Sequence, residues 1–144
     1  MKMKINQALK KKNQLIREIG ELTELAKQNN SIISGNIRRY SVKDLVNEIN
    51  QKMIELVNLK TAIHTASQPV RNKIFLMSEL KNLAKEYQRI NVSEGKIKNY
   101  GDNEPILYEV EMNCQEVNVL VKELESKIMN LQDELEEFNG ITEI

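Results

Sequence analysis

Few side chains here are equipped for covalent or proton-transfer chemistry: the 144 residues hold one histidine, His64, and one cysteine, Cys114. A catalytic histidine or thiolate works within a constellation, and no Ser, Cys or Asp motif of known spacing accompanies His64. The sequence places His64 near the end of a helix, on the surface. Cys114 falls in an apolar 3-4 register, which predicts a small buried hydrophobe. A reactive thiol wants exposure and positive neighbours, whereas Glu111 and Glu116 stand close in sequence. One cysteine excludes an internal disulfide, and no Cys/His cluster offers a metal site. The carboxylates crowded between 101 and 144 read as a solvated helix face, because acid–base pairs with perturbed pKa values need burial. No Gly-rich phosphate loop occurs. The sequence therefore predicts no catalytic residue, no cofactor, no metal and no small-molecule substrate, hence no enzyme.

Basic clusters suggest a different chemistry. "KKK" at Lys10–Lys12, "RRY" at Arg38–Tyr40 and "KIKNY" at Lys96–Tyr100 combine cations that can contact phosphates with rings that can stack on bases. Arg38, Arg39, Tyr40, Lys96, Lys98 and Tyr100 are the candidate interaction residues. Against them stands an internal source of neutralisation. Residues 1–100 carry 19 Lys or Arg against 9 Asp or Glu, a net +10, and residues 101–144 carry 2 against 12, a net −10. Such asymmetry signals either an interacting segment or two segments made to lie together. Nucleic acid is the less favoured partner on this balance.

The elements that would position these groups are helices. The composition, with five Gly, two Pro and no Trp, favours long helices over a sandwich or barrel. Apolar periodicity predicts four of them in one domain spanning 1–144, at about 4–29, 41–66, 69–92 and 106–138. The first has Ile5, Ala8, Leu15, Ile19, Leu22 and Ala26 on one face. Ser41 caps the second, with Asp44 in its first turn and a stripe of Leu45, Ile49, Leu56, Leu59, Ile63 and Ala66. Pro69 disfavours helix at Gln68 yet suits the first turn of the third helix, whose expected seam is Leu76, Leu80, Leu83, Tyr87 and Ile90. In the fourth, ten positions from Leu107 to Phe138 (107, 110, 114, 117, 121, 124, 128, 131, 135, 138) alternate three and four apart. A 3.5-residue repeat sustained this long implies coiled-coil-like packing. "NG" at Asn139–Gly140 is the expected stop. The connectors hold short β-like pieces, "SIISGNIRRY" and "GKIKNY". The predicted class is all-α: antiparallel helical hairpins in an elongated, coiled-coil-like four-helix bundle. Val46, Met53, Val57, Val119 and Leu120 lie outside the strict seams, and a widened stripe needs a second surface, so a homo-oligomer is expected.

The start, "MKMKINQALKKK", is basic with no apolar run behind it, so it is not a secretory signal. No stretch approaches the length of a membrane span. The expectation is a cytoplasmic protein without membrane contact.

Three stretches, "INQALKKKNQLIREIGELTELAKQN", "LVNLKTAIHTAS" and "LQDELEEFNGITEI", make the chain resemble the septicolysin-like family of small bacterial helical proteins, whose function is uncharacterised. That family closes with Asn-Trp-x-Thr-Glu-Leu. Asn139, Thr142, Glu143 and Ile144 match the close, and Gly140 replaces the Trp. The family's acidic-Gly turn between helices two and three is replaced by Ser67-Gln68-Pro69. The resemblance covers nearly the whole chain and implies an all-helical fold and self-assembly. The family name suggests a pore-forming toxin, against which the missing export signal and apolar segment both argue. The reading is a structural or protein-interaction module that self-associates through coiled-coil seams. An RNA-binding hairpin with basic tips is the alternative.

Overall fold

In the computed structural model, which describes residues 2–144, the first helix α1 (Ile5–Asn29) opens on a pairing with the far end of the chain. The amide of Ile5 donates to the carbonyl of Thr142 at 2.9 Å, and that of Ile144 to the carbonyl of Met3 at 3.0 Å, forming an antiparallel bridge between Lys4 and Glu143. The Lys4 ammonium also donates to the Ile141 carbonyl at 3.0 Å, satisfying an acceptor that the end of a helix leaves open. At the start of α1 the Lys4 amide donates to the Gln7 side chain at 2.9 Å.

After α1 the chain turns through 33–36, where the Asn36 amide donates to the Ile33 carbonyl at 3.1 Å and Gly35 has φ of 90°. A positive φ at the third residue of a turn is a glycine position. The β-like piece expected in "SIISGNIRRY" is therefore a turn. The second helix α2 (Val42–Ala66) starts at the Ser41 cap, whose hydroxyl accepts from the Asp44 amide at 3.3 Å. α1 and α2 run antiparallel, as Lys11–Glu55 and Glu18–Lys52 pairs, each at 2.9 Å, require. Ala8, Leu15 and Leu59 form a buried cluster between them, with Met3, Leu56, Ile63 and Ile144 packed on it. Full burial of one such Leu is worth roughly 2–3 kcal/mol.

The chain divides into two units: one runs to Pro69 and includes Glu136–Ile144, and the other is Val70–Leu135. A 3-10 turn, Gln68–Val70, precedes the third helix α3 (Arg71–Tyr87). Besides Arg71 at its start, its buried and half-buried positions are Lys73, Met77, Leu80, Ala84 and Tyr87, which continue from buried Val70 at spacings of three and four. This corrects the expected seam, of which only Leu80 and Tyr87 are shared. Leu76 and Leu83 are 50 and 38% exposed. α3 also ends at Tyr87, short of 92: the Arg89 and Ile90 amides donate to the Glu86 and Tyr87 carbonyls at 3.0 and 3.1 Å in tighter turns, and the Asn91 side chain then accepts the Ser93 amide at 2.9 Å.

β1 (Gly95–Ile97) and β2 (Ile106–Tyr108) then pair antiparallel, with Lys96 opposite Leu107. The fourth helix α4 (Cys114–Ile141) begins at Cys114, not at 106, since Ile106–Tyr108 is strand. From there the predicted repeat holds: Val117, Val121, Leu124 and Leu135 are buried, and Ile128, Leu131 and Phe138 half-buried. Asn139–Gly140 does not stop the helix, and Gly140 is absent from the left-handed glycines. The class is all-α with one two-stranded hairpin.

Candidate functional site

Arg38 is a structural residue first. Its two guanidinium nitrogens donate to the carbonyls of Asn29 and Asn30 at 2.9 and 3.0 Å, closing the end of α1. Cations suit that end of a helix on electrostatic grounds as well. Arg38 and Tyr40 line one open cleft of about 470 Å³ with Asn30, Ser41, Val42 and Lys43, and Arg39 is exposed beside it. These three candidates lie in the first unit.

Lys96, Lys98 and Tyr100 lie in the second, on the β1–β2 hairpin. The Asp102 amide donates to the Asn99 carbonyl at 3.1 Å, and the Asn99 amide to the Asp102 carboxylate at 3.0 Å. Gly101, with φ of 93°, sits third in this turn, and Tyr100 before it is fully exposed. Lys96 and Lys98 are exposed too. The hairpin presents two cations and a ring on a defined turn; the α1–α2 connector presents exposed Arg39 beside the Arg38 cap.

Cys114 is exposed, which corrects its expected burial. The cause is its position. Asn113 caps α4, its side chain accepting the Glu116 amide at 2.9 Å, so Cys114 is the first helical residue and precedes the buried stripe. His64 lies exposed in the last turn of α2.

The sequence reading missed an ion pair across α1 and α2. Lys52 donates to Glu18 at 2.9 Å, and Gln14 donates to the other carboxylate oxygen at 2.8 Å. The Lys52 hydrogen bond, then that of Gln14, hold the Glu18 carboxyl below the usual range; the Glu18 hydrogen bond holds the Lys52 ammonium above its own. The i, i+4 spacing of Gln14 and Glu18 was visible, but the partner on α2 required the register of the hairpin.

Apolar side chains outside the buried stripes are the other feature. On α2, Val46, Met53 and Val57 are 43, 49 and 55% exposed, and Ile54 is 62% exposed. On α3, Phe75, Leu76 and Leu83 are exposed, as is Val119 on α4, while Leu120 is half-buried. Among the described residues no group of His, Cys, Asp or Glu could hold a metal ion, and no helix is long and apolar enough to cross a membrane. Comparison with models of protein families, with curated proteins and with solved structures gives no match.

Proposed function

We propose that this protein is a non-enzymatic, cytoplasmic structural or interaction module that acts by associating with further copies of itself. The observation that carries the reading is the row Val46, Met53, Val57 on α2, exposed beside a separate buried stripe on the same helix. An apolar row that its own chain does not cover is best accounted for by a second surface. Assembly through helical seams is also what the septicolysin-like resemblance implies, and membership of that family belongs to the same proposal.

Light scattering coupled to size exclusion, across low to high micromolar concentration, tests it. A discrete multimer is expected. A mass of one chain, 16.7 kDa, at every concentration would overturn it.

A second reading, RNA binding, draws on one observation: Lys96, Lys98 and a fully exposed Tyr100 share one hairpin. It ranks below self-association because Arg38 is engaged in capping α1 and the whole chain is electrically balanced.

A further inference from the structure

α2 and α3 each carry a second row of side chains outside the buried stripe, and the two rows differ in charge. On α2, Lys43, Val46, Asn50 and Met53 recur at intervals of three, four and three, with Val57 continuing the row. On α3, Leu76, Glu79, Leu83 and Glu86 recur at three, four and three. Such spacing sets each group on one helix face. Every one of these residues is exposed. The acids of α2, namely Asp44, Glu48 and Glu55, are spaced four and seven apart and lie on a different face, so the charges bordering the apolar row are Lys43 and Lys60. The α3 row carries Glu79 and Glu86 instead. Among the described residues Lys43, Lys60 and Glu79 have no ion-pair partner, and Glu86 has only the exposed Arg89 at 3.7 Å.

We infer that the α2 row of one copy receives the α3 row of a second copy, antiparallel; the inference rests on the self-association proposed above and specifies its surface. Read in opposite directions, the two rows have the same intervals. One register therefore sets Lys43 against Glu86, Val46 against Leu83, Asn50 against Glu79 and Met53 against Leu76. Ile54 and Phe75, each 62% exposed, then flank the last pair on opposite sides of the seam. A slip of one turn sets Lys43 against Arg89 and Met53 against Glu79. The opposite slip sets Lys43 against Leu83 and Asn50 against Leu76. Charge thus selects the register while the apolar pairs supply the burial. An acidic helix from an unrelated protein would suit the α2 row, but it would leave the α3 row uncovered. A second copy covers both kinds.

The test uses the full chain. Lys43→Glu and Glu86→Lys each place like charges opposite one another, and each alone is expected to weaken association roughly threefold to tenfold by sedimentation. When one variant pairs with the other, both 43–86 contacts are of opposite charge, so an equimolar mixture is expected to associate more tightly than either variant alone. Circular dichroism checks that helicity is kept. As a second readout, Met53→Cys and Leu76→Cys chains, both carrying Cys114→Ser, are mixed under mild oxidation. A disulfide-linked pair containing one of each is expected, and Met53→Cys with Lys122→Cys serves as the control. A monomeric wild type would overturn the self-association reading and this pairing with it. A multimeric wild type whose association ignores both charge reversals, or whose 53–76 cross-link is no better than the control, would overturn this pairing alone.

Discussion

Glu18 and Lys52 face each other across the α1–α2 pair at 2.9 Å, and their effect on stability has a definite pH window. The Glu18 carboxyl is held below its ordinary value of 4.5, principally by the Lys52 hydrogen bond, so its contribution is present above 4.5 and is lost as pH falls through the lowered value. The Lys52 ammonium is held above its ordinary 10.5, principally by Glu18, so its contribution is present below 10.5 and is lost as pH rises through the raised value. Both groups are solvent-accessible, so the effect is modest and screened by salt. A Glu18→Gln variant is expected to melt slightly below wild type near neutral pH, the gap closing as pH drops below 4.5. Melting curves from neutral to acid pH, at low and high salt, make the comparison. A gap that stays constant into strong acid would mean that the pair contributes nothing through charge.

At the scale of elements, the boundary of α4 is the instructive case. The 3-4 alternation from Leu107 to Phe138 was legible, and from Val117 onward it describes the buried face. Its first three positions were misleading because spacing alone cannot tell a helix from a strand followed by a loop. Ile106–Tyr108 pairs with Gly95–Ile97 across a turn that Gly101 permits. The start of the helix was written elsewhere, in Asn113 with Glu116 three residues on, a capping pattern. α3 teaches a related lesson, since two apolar rows share Leu80 and Tyr87, and only packing decides which row is covered. The candidate residues were legible as types, but the capping role of Arg38 was not, because it joins residues nine apart through the fold of a turn. The α4 boundary has a direct consequence. With Cys114 exposed at the first helical position, its thiol is expected to react with a disulfide reagent in the native state nearly as fast as in denaturant. Cys114→Asp, which puts negative charge at a helix N-terminus, is expected to change stability by less than about 0.5 kcal/mol. Slow native labelling, together with a large loss for the Asp variant, would return Cys114 to the buried stripe.

For the whole molecule the question is what field the charges leave outside. The chain sums to zero, with +10 before residue 101 and −10 after it, and two acids of the negative part are paired with lysines of the positive part: Glu134 with Lys73 at 2.9 Å, Glu143 with Lys4 at 3.3 Å. Lys11 and Lys52 are matched within the first hairpin by Glu55 and Glu18. Of the candidate cations, Arg38 donates to two backbone carbonyls, which leaves Arg39, Lys96 and Lys98 to meet phosphates. A handful of phosphate contacts gives affinity that falls steeply with salt, and a neutral chain adds little long-range attraction. No binding of tRNA or duplex DNA tighter than about 10 μM is therefore expected near 150 mM salt, with weak binding only at low salt. Fluorescence anisotropy over a salt series measures this. The variants to use are Arg39→Glu and Lys96→Glu with Lys98→Glu. Reversing Arg38 would open the end of α1, and its effect could not be assigned to a phosphate. Micromolar binding near 150 mM salt that Lys96→Glu with Lys98→Glu abolishes, and that Tyr100→Ala weakens by a stacking-sized margin of about 1–3 kcal/mol, would overturn the self-association reading in favour of RNA recognition by the hairpin.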